Sequence, residues 1–230
     1  MPDLLLIAFI AGVLAIDDRA GWQTLLGEPV FSALIIGALL GNVLVALQCG
    51  VVLQLAWLSI GAARGTRRPN TVVGGVVGAA ATCLALAATP DARASLVVAT
   101  GVLMGLVAAE AGAFVWRGVG ELRDRWLGDF QLPASYPAAS RKLAATVVGS
   151  ALFVGLADFV IVLLLLPLAV SATVFASEHL GKGAAVGAVW WLACVSAIGM
   201  ASIMRAFSTR WMVRFLAAGA VAVALIGWLR

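Results

Sequence analysis

Charged residues are scarce in this chain of 230 residues, at 11% of the composition against 63% hydrophobic residues. A soluble domain has about a quarter charged residues and about half apolar ones, so the composition excludes a soluble globular domain. The mean hydropathy of +1.08 agrees with that exclusion. We therefore expect an integral membrane protein that crosses the bilayer several times.

Histidine and cysteine are also rare, with one histidine, His179, and three cysteines. Cys49, Cys83 and Cys194 lie inside apolar runs without the short spacing of metal ligands, so we expect reduced thiols and no metal site. The chain lacks the GxSxG and HExxH patterns and a glycine loop leading into Lys-Ser or Lys-Thr. These absences disfavour a membrane enzyme, and no cofactor is expected.

The basic residues set topology in this sequence. Although the net charge is +4, the cations fall in short loops, so we expect no nucleic-acid partner. The cation-rich loops, cytoplasmic by the positive-inside rule, are Arg64 to Asn70, Arg117 to Lys142 and Arg205 to Arg214. The cation-poor loops, expected outside, are Asp17 to Glu28, Thr89 to Ala94 and Ala176 to Lys182. A hairpin between Pro29 and Ala63 would reverse the first of these.

Two of the apolar runs are too long for one membrane helix, which needs about 20 residues. The run from Pro29 to Ala63 holds no formal charge and predicts a hairpin, a re-entrant pair or a broken helix. The run from Leu143 to Phe175 predicts a second break, near Gly155 to Asp158 or at Pro167. The fold class predicted is an all-α polytopic membrane protein with about 6–8 transmembrane or re-entrant helices and two broken segments.

The remaining organisation is simple. Residues 1–230 are expected to form a single integral membrane domain, with residues 29–63 and 143–175 as its interrupted membrane segments. The stretch from Leu4 to Ile16 is expected to be a retained, short first membrane segment, because acidic residues follow it instead of a cleavage site. Residues 117–142 are expected to be a cytoplasmic interfacial loop, with a short helix from Val119 to Leu127 and an extended return.

The text between Asp17 and Asn70 reads IDDRAGWQTLLGEPV, then IIGALLGN, then GVVLQLAWLSIGAARGTRRPN. In this order and spacing it resembles the IIC permease subunit of the mannose/fructose/sorbose family of the bacterial phosphoenolpyruvate-dependent sugar phosphotransferase system. The matching positions are Asp17 or Asp18, Gln23, Pro29, Gly37, Gly41, Asn42, Gly50, Gln54, Trp57, Gly61, Ala62, Pro69 and Asn70. Two departures are Glu28, where the family usually has Arg, and Asn42, where it usually has Asp.

The resemblance implies a permease subunit that is not itself catalytic. It would recognise a hexose or amino sugar and pass it inward, in the bilayer of the bacterial inner membrane, as a multi-pass protein and an oligomer. Its partners would be a IID membrane subunit and the soluble IIA and IIB phosphocarriers, with IIB phosphorylating the sugar. The alternative is a substrate-capture subunit of an energy-coupling-factor vitamin transporter, which has similar size and hydropathy.

Uncharged hydrogen-bonding groups at membrane depth are the candidate sugar ligands. Sugar hydroxyls are neutral donors and acceptors, so a sugar site needs amides, carboxylates and an aromatic face. Gln54, Asn42 and Trp57 supply these groups close together in sequence, although interhelical hydrogen bonding and packing would explain them too. Asp17 and Asp18, with Gln23, would hold sugar hydroxyls at the external mouth, or the two aspartates would simply end the first span.

Carboxylates within apolar runs are costly and indicate function by default. Glu110 and Asp158 are candidates for an intramembrane polar or coupling role; each would otherwise be paired with a cation such as Arg205 or be protonated in a packed interface. Arg67, Arg68 and Arg205 are candidates for contact with a cytoplasmic partner, or they only determine topology. His179 is expected to be an exposed loop residue.

Overall fold

In a computed structural model, the described residues are 2–19, 24–61, 69–127 and 136–206. They form helices, with no strand among them, in agreement with the predicted all-α fold. The helices are α1 (Pro2–Arg19), α2 (Pro29–Leu39), α3 (Val43–Gly61), α4 (Thr71–Ala88), α5 (Ala94–Leu127), α6 (Tyr136–His179) and α7 (Lys182–Ala206). The predictions for Gln23, Arg67, Arg68 and the last apolar run fall outside these ranges.

The uncharged run from Pro29 to Ala63 is broken, as predicted, into the helical hairpin of α2 and α3. Pro29 begins α2, where its missing N–H is not needed. Gly41 has a φ of +71°, a value that suits glycine, so it can reverse the chain. Asn42 completes the turn: its N–H donates to Gly37 O at 2.8 Å, and its carbonyl accepts from Ala46 N at 3.1 Å.

This hairpin places the 17–28 segment at the same end of the bundle as Asn70. A Cβ at Gly27 would lie 3.0 Å from both Asp18 Cβ and Val72 Cγ2, so the start of α2 lies against the end of α1 and the start of α4. The side of this loop was left open by the sequence, because a hairpin between Pro29 and Ala63 would reverse it. The structure has that hairpin, so the loop lies at the Asn70 end.

Helix α4 lies at the centre of the bundle, and its glycines let the neighbouring helices pack closely around it. A Cβ at Gly74 would lie 2.7 Å from the Gly105 carbonyl oxygen of α5, and one at Gly75 would lie 3.0 Å from Pro29 Cα of α2. A Cβ at Gly78 would meet Leu53 of α3 at 2.9 Å. Small residues allow such close approach between membrane helices. Most of α4 is therefore buried between its neighbours, which include α6 and α1 as well as α2, α3 and α5.

The second long run is not interrupted. Helix α6 continues through 44 residues with Pro167 inside it, so the break expected near Gly155 to Asp158 or at Pro167 is wrong. Membrane helices tolerate an internal proline because local adjustments satisfy the freed carbonyl. Gly155 serves packing instead: a Cβ on Gly12 of α1 would lie 2.7 Å from the Gly155 carbonyl oxygen. At about 1.5 Å per residue, α6 is simply longer than the hydrocarbon layer is thick.

The helix expected from Val119 to Leu127 is likewise not a separate element. These residues are the C-terminal turns of α5, which runs for 34 residues. Residues from Tyr136 onward are already helical and belong to α6, so that part of the expected extended return is wrong. Both long helices extend beyond their apolar portions, and the sequence boundary between apolar and polar residues was therefore not a helix boundary.

Four helices among the described residues are long and apolar enough to cross a membrane: Thr71–Ala88, Ala94–Glu121, Leu143–His179 and Lys182–Ser202. The exposed side of α6 is a row of large apolar residues, namely Leu152, Leu156, Leu164 and Leu168. On α7, Trp190 is 69% exposed. A soluble protein rarely shows so large an apolar surface, so these faces fit the hydrocarbon of a bilayer.

Replacing Gly12 with Ala should destabilise the contact between α1 and α6. The added methyl group would overlap a backbone carbonyl of Gly155, which cannot rotate away. Overpacking of this kind costs about 1–3 kcal/mol. Thermal unfolding of the detergent-solubilised protein should show a lower midpoint for Gly12→Ala. Gly187→Ala is the matched control, because a Cβ at Gly187 meets nothing within 4 Å; equal midpoints for the two variants would contradict the packing described.

Candidate functional site

A carboxylate and an amide pair where α3 passes the start of α2. Gln54 Nε2 donates to Glu28 Oε2 at 2.7 Å. Gly50 makes this possible, since a Cβ there would lie 2.6 Å from the Pro29 carbonyl oxygen and would push the helices apart. Gln54 follows Gly50 by about one helical turn. The other amide oxygen, Gln54 Oε1, is buried and has no hydrogen-bond partner.

A second polar centre surrounds Asp158, a residue of α6 whose side chain is fully buried. Asp158 Oδ1 accepts from Asn70 Nδ2 at 2.8 Å and from Trp116 Nε1 at 2.7 Å. Asp158 Oδ2 is buried and has no partner. One carboxylate oxygen therefore joins α6 to the start of α4 and to α5, while its other oxygen is unused.

Asn70 uses every polar group it has. Its side-chain Oδ1 accepts from Val73 N at 3.2 Å, which makes it the N-cap of α4. Its backbone N–H donates to Ala109 O at 3.1 Å, and Gly112 leaves space for its side chain. With the bond to Asp158, the first turn of α4 is fixed to both α5 and α6.

The end of α1 brings further charges to this region. The Arg19 guanidinium lies over the Trp116 ring, 4.0 Å from its centroid, and its Nε is 3.8 Å from Asp18 Oδ2. Asp17 Oδ2 accepts from the backbone N–H of Thr24 at 3.1 Å and from its hydroxyl at 2.7 Å. Asp17 thus closes the loop that leads to α2, whereas Arg19 covers the indole that donates to Asp158.

The two polar centres both adjoin the N-terminal end of α4. Asp158 bonds to Asn70, Gly27 packs against Val72, and the Trp57 ring lies against Gly74. One helical turn rises only about 5.4 Å. Glu28, which follows Gly27, and Gln54, one turn before Trp57, therefore lie at the same end of α4 as Asp158. We call these residues the polar cluster: Asp17, Asp18, Arg19, Glu28, Gln54, Asn70, Trp116 and Asp158.

The polar cluster suits a neutral ligand that donates several hydrogen bonds. Two buried acceptors, Gln54 Oε1 and Asp158 Oδ2, have no donor among the described residues. Buried polar atoms are almost always paired, and an unpaired one needs an explanation. Hydroxyl groups would supply the missing donors without adding charge. Within the described residues, no group of histidine, cysteine and acidic side chains could hold a metal ion.

The sequence candidates are only partly brought together. Gln54, Asp17 and Asp18 all belong to the polar cluster, with the two aspartates at its edge. Trp57 is 6% exposed and packs among apolar side chains of α3 and α5. Asn42 lies at the hairpin tip, where its carbonyl accepts from Cys83 Sγ at 3.6 Å. Twelve residues along α3 separate it from Gln54, about 18 Å at 1.5 Å per residue, so the two do not share a site.

The carboxylates predicted within apolar runs have different positions. Asp158 is buried in the polar cluster, whereas Glu110 is exposed on α5. Arg205 belongs to α7, but its side chain lies outside the described part. His179 is exposed, as expected, but it is the last residue of α6 and not a loop residue.

Sequence reasoning did not assign Glu28, Asn70, Trp116 or Arg19 to a site. Glu28 was noticed only as a departure from the family pattern. Asn70 carries a readable signal, because an asparagine directly before an apolar run predicts an N-cap. No comparable signal identifies Trp116, whose role depends on a residue 42 positions later.

Comparison with known proteins agrees with the resemblance of the sequence. A family model described as "PTS system sorbose-specific iic component" matches residues 2–228. A curated protein of Escherichia coli (strain K12), "Putative N-acetylgalactosamine permease IIC component 2", is 30% identical over 103 residues. That alignment covers 44% of this chain and 74% of the relative. Neither comparison supports the alternative of a vitamin-capture subunit.

Replacing Trp116 with Phe should destabilise the protein, because it keeps most of the ring beneath Arg19 but removes the N–H that donates to Asp158. Losing a hydrogen bond to a buried charged group costs about 1.5–3 kcal/mol. The unfolding midpoint in detergent should fall for Trp116→Phe but hardly change for Trp190→Phe, whose ring is 69% exposed. If Trp116→Phe has the same unfolding midpoint as the wild type, the indole hydrogen bond contributes little to stability.

Proposed function

We propose that the polar cluster at the start of α2 and α4 binds the transported sugar. The chain belongs to the sorbose-specific IIC family of the sugar phosphotransferase system. As a IIC component, the chain is the membrane permease part of this system and works with other phosphotransferase components on a sugar substrate. The proposal concerns which residues hold the sugar and how the work is divided among the partners.

The observation that carries the proposal is the state of Gln54. Its Nε2 is engaged with Glu28, while its Oε1 is buried without a donor. The bond to Glu28 fixes the amide orientation, so the free oxygen is held ready to accept. An unsatisfied buried acceptor costs about 1–3 kcal/mol, and a sugar hydroxyl would remove that cost on binding. Glu28 offers further carboxylate lone pairs beside it.

The start of α2 adds donors to the same place. A helix N-terminus leaves its first N–H groups without intrahelical partners. Broken membrane helices use such ends to bind solutes near the middle of the bilayer. The Glu28 side chain does not cap α2, so those N–H groups are not taken by it. A sugar, which both donates and accepts through each hydroxyl, suits this mixture of donors and acceptors better than a charged solute does.

The substrate is proposed to be a hexose or an amino sugar. The family description names sorbose, and the relative in Escherichia coli is named for N-acetylgalactosamine. Both sugars are neutral and rich in hydroxyl groups, which matches the acceptors described. The chain itself is proposed not to be catalytic, with the phosphoryl group supplied by a phosphorylated IIB subunit.

The remaining assignments also follow from family membership. We place the chain in the bacterial inner membrane as a multi-pass protein, paired with a IID subunit in an oligomer. The basic segment that precedes Asn70 makes the Asn70 end cytoplasmic by the positive-inside rule. Since the polar cluster lies at that end, the bound sugar would be close to the side where it is phosphorylated.

Replacing Gln54 with Ala should abolish sugar uptake that depends on phosphoenolpyruvate. The change removes the free acceptor and leaves Glu28 without its partner. The assay uses membrane vesicles containing this chain and its IID subunit, the soluble phosphocarriers, and a panel of labelled sorbose, N-acetylgalactosamine, mannose and fructose. Sugar phosphate should accumulate with the wild type and fall at least tenfold with Gln54→Ala, the effect of losing about 1.4 kcal/mol of binding.

Gln48→Ala is the matched control for this experiment. Gln48 is the same residue type on the same helix, but it is exposed and lines an open apolar groove of about 610 Å³ between α3, α5 and α7. Uptake should persist in this variant. Normal uptake by Gln54→Ala, with equal amounts of protein in the membrane, would rule out Gln54 as a sugar ligand.

The proposed topology is tested by cysteine labelling. With Cys49, Cys83 and Cys194 replaced, a cysteine introduced for Asp91 should react with an impermeant maleimide in intact cells, because the loop between α4 and α5 is external. A cysteine introduced for Thr24 should react only after the membrane is permeabilised. Labelling of both positions from outside would contradict the hairpin arrangement, in which the 24–28 loop and Asn70 share one end.

A further inference from the structure

Asp158 has more acceptor capacity than its contacts in the protein use. Asn70 and Trp116 both donate to Oδ1, and Oδ2 is buried without a partner. A side chain that served only to join these two residues would need a single oxygen. An amide could provide that oxygen without the cost of burying a carboxylate. The second oxygen therefore calls for a function beyond the link between α4, α5 and α6.

The position of Asp158 relates it to the proposed sugar site. Asp158 bonds to Asn70, and two residues later Val72 touches the position of Gly27, next to Glu28. Asp158 also interacts electrostatically with Arg19 and Asp18, which border the same loop. The two buried side-chain acceptors without donors among the described residues, on Gln54 of α3 and Asp158 of α6, thus lie at the same end of α4.

We propose that Asp158 is a second sugar-binding residue, whose Oδ2 accepts a hydrogen bond from a different sugar hydroxyl than Gln54 Oε1 does. This inference rests on the proposed function. A carboxylate accepts short, charge-assisted hydrogen bonds from hydroxyl groups, and these are stronger than hydrogen bonds to an amide oxygen. Asp158 would then select sugars by the presence of one particular hydroxyl, because a site built around a hydroxyl rejects analogues that lack it.

A substitution of the same shape separates this role from a structural one. In Asp158→Asn the amide oxygen can take the place of Oδ1 and accept from both Asn70 and Trp116. The amide nitrogen then takes the place of Oδ2, where it can donate a hydrogen bond but cannot accept one. The contacts between helices are kept, but no acceptor remains free at position 158.

The test measures binding of the sugar panel, and of analogues that each lack one hydroxyl, to vesicles carrying the full chain with its IID subunit. In the wild type, removal of at least two different hydroxyls should weaken binding, each by roughly 10- to 100-fold. Gln54→Ala should erase one of these losses and Asp158→Asn should erase another. Thr173→Ala is the control on α6, since the buried Thr173 hydroxyl bonds only to its own helix, at Ala169 O.

The outcomes separate the two proposals. If Asp158→Asn retains every hydroxyl preference of the wild type, Asp158 is a structural residue and this inference is wrong, whatever Gln54→Ala does. If Gln54→Ala erases no preference, the proposed site itself fails. Should Asp158→Asn not accumulate in the membrane, the analogue series on the wild type decides, because weaker binding after the loss of only one hydroxyl would equally overturn the assignment.

Discussion

Close approach of helix backbones around α4 is the constraint on which the rest of the structure depends. In hydrocarbon the hydrophobic effect does not press helices together, so association relies on packing and on hydrogen bonds between helices. Gly74, Gly75 and Gly78 provide that packing, because they let α5, α2 and α3 reach the α4 backbone. A methyl group at any of the three would overlap a backbone or packed side-chain atom, because the nearest atom lies closer than van der Waals contact. The position of α2, and hence of Glu28, follows from this contact.

Tight packing also explains how the polar groups are held. Asn70 sits in the space that Gly112 leaves open, and its side chain bonds to both Val73 and Asp158. With all its groups used, Asn70 cannot rotate without breaking several hydrogen bonds in a medium that offers no replacement. The carboxylate of Asp158 is therefore fixed in orientation, as Gln54 is by Glu28. Acceptors with fixed directions suit recognition, since little conformational entropy is lost when a ligand binds.

The sequence predicted those features that depend on local pattern. An uncharged run of about 35 residues is too long for one membrane helix and predicted a break without locating it; the structure places the turn at Gly41 and Asn42. The same reasoning failed for the second run, because length alone does not distinguish a broken helix from one that extends beyond the bilayer. Gly155 gave a misleading signal, since its use is contact with α1 and not chain reversal.

The site could be predicted only in part, for a related reason. Gln54 stood out as an amide in an apolar run, but its partner Glu28 is 26 positions away, and the pairing depends on the register of the hairpin. Asn42 seemed equally suitable from its spacing, yet the turn carries it to the far end of α3. Asp158 was noticed as a buried carboxylate, while its partners Asn70 and Trp116 come from two other helices. Contacts of that kind are a property of the packing and not of any one segment.

The N-terminus of α2 has a further electrostatic effect at this site. Pro29 of α2 is buried against Gly50 of α3 and Gly75 of α4, so this end of the helix is packed within the bundle. A helix N-terminus carries partial positive charge and favours a nearby anion. Glu28 occupies that position, and its side chain turns to Gln54 instead of capping the helix. The helix thus stabilises the carboxylate without occupying its oxygens, which leaves them able to orient Gln54 and to meet a ligand.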